Sequence, residues 1–269
     1  MTLEDKKNEL TNYLRSLKKV AIGCSGGVDS LLLATMAIEV LGVKNVLLLH
    51  IKSDFSIESE TNSFIQLVQS LQCQYKVIEI YDILSDVEIA ENSPQRCYFC
   101  KKRIMKLIRK EAELAKIHFV ADGTNVDDFN DYRPGMRATK ELNIIHPFVV
   151  CKFNKELIRE LAAELNLDVA NRPSNSCLAT RIPYYVQLHK DILNMTHKAE
   201  NFLKKLGVYN CRVRYFDGAA NIAVDEGSIE LIFKKYQEVC SFLKSLGYDD
   251  VAINLTPYQN GDLNRKLRR

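Results

Sequence analysis

Two spacings of apolar residues run along this chain, and the change from one to the other divides it. Up to about residue 184, short apolar runs alternate with stretches of helical repeat. Residues 18–23 (KKVAIG) read as a buried strand that leads through CSGGVDS into LLLATMAIEVLG, an apolar helix stopped by Gly42. Residues 45–51 (NVLLLHI) predict a second strand, 58–71 a helix, 75–80 (YKVIEI) a third strand, 97–115 a helix with a basic face, and 118–122 (HFVAD) a fourth strand. Strands separated by helices of this length predict βαβ crossovers and a parallel sheet. Such sheets bind ligands beyond the carboxyl ends of their strands. That rule selects three loops: SGGVDS (25–30), the loop opening with KSDF after the second strand, and GTNVDD (123–128).

Beyond Tyr184 the spacing changes. Residues 187–206 predict an amphipathic helix ending at Gly207, and 228–246 a further helix. Residues 210–215 (NCRVRY) and 221–225 alternate with period two, and 250–255 (DVAINL) read as a last strand. Period two means a sheet with one face exposed, so a smaller α+β domain is expected. The linker is placed at 171–185, which holds Pro173 and Pro183. The expected domains are 1–185 and 186–269. No internal repeat or low-complexity segment is evident.

Composition narrows the classes. With 269 residues, 46% hydrophobic and 26% charged, the chain is that of a globular protein able to bury a core without disulfide or metal staples. Lys and Arg number 37 against 34 Asp and Glu, so no bulk positive field marks a nucleic-acid binder. The basic helix (Lys101, Lys102, Arg103, Lys106, Arg109, Lys110) lacks an interleaved aromatic stripe, which argues further against RNA. The start, MTLEDKKNEL, lacks the apolar run of a signal peptide, and no apolar stretch nears the roughly 18–20 residues that span a bilayer. A cytoplasmic protein with no membrane partner and reduced thiols is expected, with most of its eight cysteines serving as small buried hydrophobes.

Several residue sets carry chemistry. In Ser25-Gly26-Gly27-Val28-Asp29-Ser30 the glycines allow a sharp turn and close approach of an anion, the serines add hydroxyls, and the helix start aims N–H groups and a dipole at negative charge. The Gly-Lys-Ser/Thr ending of a Walker A loop is absent, and Asp29 beside phosphates makes sense with an intervening Mg²⁺. A plain tight turn with a helix cap is the weaker reading. Cys177 lies in a polar, irregular segment with Arg181 four residues on; a nearby cation favours thiolate, and nucleophile and structural thiol both stay open. Cys97 and Cys100 form a lone CxxC, either packed near the nucleotide or joined with Cys177 in a cluster site. Asp122, Asn125, Asp127 and Asp128 form either an Asx-rich turn or a Mg²⁺ or ribose site. Arg133, before Pro134-Gly135, is either solvated or a bidentate phosphate ligand. The five histidines show no metal-ligand spacing, and the tail Asn264–Arg269 is read as a frayed end.

SGGVDS resembles the PP-loop of the ATP pyrophosphatases. With Arg96-Cys97-Tyr98-Phe99-Cys100-Lys101, Asp122 to Asp128, Asp131-Tyr132-Arg133-Pro134-Gly135, Pro173-Ser174, Cys177 to Arg181, Ala199-Glu200 and Arg212 to Tyr215, nearly the whole chain resembles the LarE-type ATP-dependent sacrificial sulfur transferases. The resemblance implies an α/β fold, an adenine nucleotide alpha hydrolase-like PP-loop domain followed by a smaller α+β domain. It implies ATP cleaved between its α- and β-phosphates, with Mg²⁺, to adenylylate the carboxylate of a pyridinium mononucleotide used in making the nickel-pincer nucleotide. Cys177 matches the cysteine that forms a thioester and gives up its sulfur, leaving dehydroalanine. Ser25, Gly26, Gly27, Val28, Asp29, Ser30, Ser53, Asp122, Gly123, Thr124, Asn125, Asp128 and Arg133 are then expected at the nucleotide. Cys177, Asp29 and Arg181 are expected to act in catalysis, Asp29 and Glu200 are candidate metal ligands, and a homo-oligomer is expected. Ser174, Ser176 and Thr180 surround Cys177 with no second cysteine near, which favours sacrifice over a cluster carrier. Another adenylylating enzyme, such as a cluster-dependent tRNA thiolase, and a nucleotide-binding protein without turnover are the alternatives. The chain departs from the family at Ala220-Asn221-Ile222-Ala223-Val224, where members read Ala-Arg-Ile-Glu-Val, and at Pro257-Tyr258-Gln259-Asn260-Gly261-Asp262, where they read Gly-Tyr-Arg-Thr-Gly-Ser. These changes bear on the acceptor pocket, since arginine is the natural partner of a substrate phosphate.

Overall fold

The computed structural model describes residues 2–130, 132–173 and 175–258. Asp131, Ser174, Gln259 to Asp262 and the basic tail Asn264–Arg269 lie outside the described residues. In chain order the helices are α1 (Leu3–Leu17), α2 (Val28–Leu41), α3 (Glu58–Leu71), α4 (Val87–Ala90), α5 (Arg96–Leu114), α6 (Gly135–Glu141), α7 (Pro147–Val150), α8 (Lys155–Glu164), α9 (Lys190–Lys205), α10 (Glu226–Lys234) and α11 (Tyr236–Ser245). The strands are β1 (Val20–Gly23), β2 (Val46–Ser53), β3 (Gln74–Ile80), β4 (Phe119–Asp122), β5 (Cys211–Phe216), β6 (Ala219–Val224) and β7 (Asp250–Ile253). They fall into two compact units. Of the described residues, one unit holds those of 2–81 and 97–175, the other those of 82–96 and 176–258. The sequence boundary at 185/186 leaves 176–185 and the excursion 82–96 with the first unit, whereas both pack with the second. Neither segment carries a long periodic pattern that reveals its allegiance.

The first unit is an α/β sandwich. Its four strands run parallel in the order β3-β2-β1-β4. Strand side chains alternate between faces, so Val20, Ile22, Val46 and Leu48 pack with α1, α2, α3 and α8, while Ala21, Leu49 and Val120 meet Met105, Ile108 and Ala112 of α5. Helix α2 is apolar nearly all round because α1 and α8 cover the side that the sheet does not. The chain crosses from β1 to β2 on one side while β4 lies on the other, so the crevice at the carboxyl ends of β1 and β4 is the topological switch point.

The sequence pattern missed α1 and α8. Thr2 and Asp5 form a capping box ahead of Leu10, Leu14 and Leu17, and Asn154 caps α8 through the Leu157 N–H.

In the second unit β5 and β6 form an antiparallel hairpin, and β7 joins β6 in parallel. Asp217 (φ 46°) and Gly218 (φ 81°) both occupy the left-handed region, the signature of a type I′ hairpin turn. Helices α9 and α11 cover one face of this sheet, with Phe202 stacked on Phe242 at a centroid distance of 4.0 Å. The single helix expected over 228–246 is two helices, parted at Lys235 (φ −111°, ψ 19°). No glycine or proline signals that break in the sequence. Among the described residues, no helix is long and apolar enough to cross a membrane.

The turn after β1 is packed against α3. Gly26 has φ 91°, and a Cβ there would stand 2.0 Å from the Glu60 carbonyl oxygen. Gly26→Ala is expected to lower the unfolding free energy by about 1–3 kcal/mol or more, from backbone strain and displacement of α3. Chemical denaturation of the two proteins measures the difference.

Candidate functional site

The loop at the end of β1 has the geometry of an anion cradle. Gly27 is the N-cap of α2, and no side chain caps that helix, so its first N–H groups are not answered by the loop itself. Ser30 Oγ donates to the Gly27 carbonyl (3.0 Å) and accepts from the Ser25 N–H (3.1 Å), and the two serine hydroxyls lie 3.2 Å apart. A Cβ at Gly27 would have its nearest neighbour at 3.5 Å, so space rather than packing surrounds this residue. His50, stacked on Phe64 and buried, ties the loop down: Nδ1 is 2.8 Å from the Cys24 carbonyl oxygen and Nε2 is 3.0 Å from Thr61 Oγ1. Burial pushes the His50 pKa down, which keeps the ring neutral and Nδ1–H donating to that carbonyl.

Four residues complete the charge pattern, and three of them are absent from the sequence-based set. Lys155 Nζ lies 2.7 and 2.6 Å from the two Asp29 carboxylate oxygens. Burial raises the Asp29 pKa above its ordinary 3.8 despite this partner. Asp122, buried at the end of β4, has Lys101 Nζ at 2.9 Å and His146 Nδ1 at 2.7 Å, and accepts from the Thr124 N–H (3.1 Å). Burial pushes its carboxyl up, but the Lys101 charge and the His146 hydrogen bond outweigh that and hold it well below the usual range. Lys155, Lys101 and His146 carried no local signal beyond a capped helix, a basic helix and a lone histidine.

The structure brings the loop after β4 against the loop after β1. A Cβ at Gly123 would lie 2.8 Å from the Ser30 nitrogen and 2.9 Å from the Asp29 carbonyl carbon. The acidic cluster also builds itself. Asn125, buried, accepts from the Asp127 N–H (2.9 Å), Asp128 accepts from the Asn125 N–H (3.0 Å), and Asp127 accepts from the Lys155 N–H (2.7 Å). Arg133, about half exposed, pairs with Asp128 at 2.8 Å. Ser53 stands at the last position of β2, where its hydroxyl accepts from the Phe55 N–H at 3.3 Å.

The donors fit a nucleotide and Mg²⁺. An uncapped helix start with two hydroxyls suits phosphate oxygens. Mg²⁺ commonly uses one or two carboxylates together with substrate phosphates and water, and Asp29 is the carboxylate at this loop.

In the second unit Cys177 is exposed, whereas Cys24, Cys73, Cys151 and Cys211 are buried and Cys97, Cys100 and Cys240 are half-buried. Burial pushes the Cys151 thiol up to about 11 and the Cys211 thiol up to about 12. Cys177 begins the short helical turn Leu178–Arg181. Arg181, 1% exposed, clamps that turn: Nη1 donates to the Ser176 carbonyl (2.7 Å), Ser176 Oγ (3.0 Å), Thr180 Oγ1 (3.0 Å) and the Cys177 carbonyl (3.3 Å). Its Nε and Nη2 each donate to the Glu200 carboxylate at 2.8 Å. Glu200, 2% exposed, accepts in addition from the Val213 N–H (3.0 Å). A guanidinium therefore holds both oxygens of Glu200, the second candidate metal ligand. Arg212, buried, stacks on the Tyr258 ring at 4.7 Å. Among the described residues, no group of three or more His, Cys, Asp or Glu side chains is set to hold a metal.

Fold and loop define a PP-loop, ATP-using enzyme, and a family model for NAD synthase matches residues 2–116. An NH(3)-dependent NAD(+) synthetase of Methanosarcina mazei is 33% identical over 92 residues, 32% of this chain and 36% of its own. An uncharacterized protein of Methanocaldococcus jannaschii is 34% identical over 254 residues, 94% of this chain and 96% of its own. The pyridinium-3,5-bisthiocarboxylic acid mononucleotide synthase of Lactiplantibacillus plantarum is 31% identical over 268 residues, 100% of this chain and 97% of its own. The chain belongs to the LarE-type family, that of the Lactiplantibacillus plantarum synthase.

The Arg181–Glu200 pair has a pH signature. Burial alone would raise the Glu200 pKa, but Arg181 outweighs it and holds the carboxyl below its ordinary 4.5. A depressed folded-state pKa contributes stability that is present above the unfolded-state pKa and lost as pH falls through the folded one. Glu200→Gln is expected to cost about 3–5 kcal/mol at neutral pH and to flatten the fall in stability with acid below about pH 4.5. Denaturation midpoints followed across pH test both parts.

Proposed function

We propose that this protein uses ATP to activate a carboxylate of a pyridinium mononucleotide and then transfers to it the sulfur of Cys177. The observation that carries this reading is that Cys177 is an exposed thiol on a turn clamped by a buried guanidinium, in a chain that also has an uncapped phosphate loop.

The steps balance without an oxidant or reductant. The substrate carboxylate attacks the α-phosphorus, pyrophosphate leaves, and an acyl adenylate forms. Ser25, Ser30 and the first N–H groups of α2 bind the departing phosphates, with the helix dipole favouring their charge. Mg²⁺, held by Asp29, offsets charge on those phosphates when bound. Asp29 is the residue that would hold the ion, and the Lys155 ammonium beside it would bind phosphate oxygens in the same site. The Cys177 thiolate attacks the acyl carbon, and AMP leaves with the C–O electron pair to give a thioester. A base removes the Cα proton of Cys177, the Cβ–S bond breaks, and the sulfur departs as thiocarboxylate, leaving dehydroalanine.

Protein incubated with ATP, Mg²⁺ and the pyridinium carboxylate mononucleotide is expected to lose the elements of H₂S. Intact mass and peptide mapping place the loss at Cys177, and Cys177→Ala is expected to release pyrophosphate while forming no sulfur product. Substrate converted in full with Cys177 unaltered would overturn the reading. Lys155→Ala is expected to lower ATP-dependent pyrophosphate release about 10- to 100-fold, the range of a charge-assisted hydrogen bond of about 1.5–3 kcal/mol. A rate equal to wild type removes Lys155 from the phosphate site.

A further inference from the structure

The turn that carries Cys177 is held from a second direction, by the excursion 82–96, and the geometry points to Asn92 and Arg96 as positioning residues for the sulfur-transfer step. Asn92 is fully buried and its backbone is left-handed (φ 56°), a conformation asparagine tolerates better than most residues. Its Nδ2 lies 2.7 Å from the Pro183 carbonyl oxygen, 3.0 Å from that of Val186 and 3.4 Å from that of Ile182. Its own carbonyl accepts from the Tyr185 N–H at 3.1 Å, and the Leu188 N–H donates to the Ala90 carbonyl at 2.8 Å. One amide side chain thus fixes the strand of chain that leaves the Cys177 turn.

Arg96 closes the arrangement. It is 1% exposed, its Nη1 donates to Asn92 Oδ1, and the same nitrogen donates to the Ala179 carbonyl at 3.2 Å, inside the turn Leu178–Arg181. The guanidinium also lies over the Tyr184 ring at 5.7 Å. Arg181 grips the turn through the carbonyls of Ser176 and Cys177, and Arg96 grips it through that of Ala179. Two buried cations on different carbonyls leave the turn little freedom to rotate. Asn92 orients Arg96 through its oxygen and the exit strand through its nitrogen. Their part is to hold the thiol where the acyl carbon arrives, and a misplacement of about 1 Å in such a geometry costs about 100-fold in rate.

This inference rests on Cys177 being the sulfur donor, and the test separates the two. Asn92→Asp keeps the shape but turns an anionic oxygen toward the three carbonyls. Arg96→Lys keeps the charge but loses the planar guanidinium and its reach, which bring Nη1 to the Asn92 and Ala179 oxygens. Single-turnover experiments with ATP, Mg²⁺ and the pyridinium carboxylate mononucleotide follow pyrophosphate release and, by intact mass, loss of sulfur from Cys177. Both variants are expected to release pyrophosphate within about twofold of wild type and to lose sulfur about 10- to 100-fold more slowly. Sulfur loss at the wild-type rate overturns the inference. A parallel fall of both steps assigns the pair a merely structural role and also overturns it. Wild-type protein that converts substrate with Cys177 intact overturns the sulfur-donor reading itself, an outcome distinct from the other two.

Discussion

A guanidinium and a carboxylate both removed from water can persist only as a pair, because either charge alone costs several kcal/mol to bury. Arg181 and Glu200 meet that condition with two parallel hydrogen bonds, and the second unit is arranged around them. Glu200 belongs to α9 and reaches the backbone of β5 through Val213, while Arg181 ends the turn that starts at Cys177. The pair therefore fixes a helix, a strand and the turn that carries Cys177 with one interaction. Replacing it with apolar side chains could preserve packing, but nothing apolar could donate to the Ser176 and Cys177 carbonyls. The ion pair serves specificity of the turn as much as stability.

The first unit handles charge differently. Asp29 and Asp122 each face a lysine, and those lysines are only partly buried. Partly exposed ammonium groups on flexible stems exchange partners readily, which suits the proposed binding and release of highly charged phosphates. The rigid members are elsewhere: His50 under the loop, Gly26 against α3, and Gly123 against the start of α2. Fixed backbone with exchangeable counter-ions is the arrangement expected where a polyanion binds and a fragment of it leaves.

Much of this was legible in the sequence. The four parallel strands, α3 and α5 follow from apolar runs and helical periods, because their faces are buried by repetitive packing. The phosphate loop was legible because a Gly-Gly turn between strand and helix leaves few alternatives. Helices α1 and α8 were missed, since lysines and glutamates dilute their apolar stripes and their caps, Thr2 and Asn154, are single residues. The parting of α10 from α11 has no local punctuator. Lys155, Lys101 and His146 could not be found from spacing at all. Their partners lie 126, 21 and 24 positions away, and only the sheet brings them together. The pairing of Glu200 was hidden for the same reason: its partner, Arg181, sits 19 residues distant, and residue type alone does not reveal a guanidinium in place.

The eight cysteines are sorted by surroundings rather than by spacing. Four buried thiols are packing, and burial makes thiolate formation unfavourable at Cys24, Cys73, Cys151 and Cys211. Cys177 differs in how it is held. Both Arg181 and Thr180 reach it through its backbone carbonyl. In the proposed reaction the side chain of residue 177 is consumed, while its carbonyl oxygen is untouched by β-elimination. A turn clamped through carbonyls keeps those hydrogen bonds before, during and after loss of sulfur. A turn held through the sulfur alone would give way at the moment the Cβ–S bond breaks, so anchoring the main chain is the arrangement that a self-consuming residue requires.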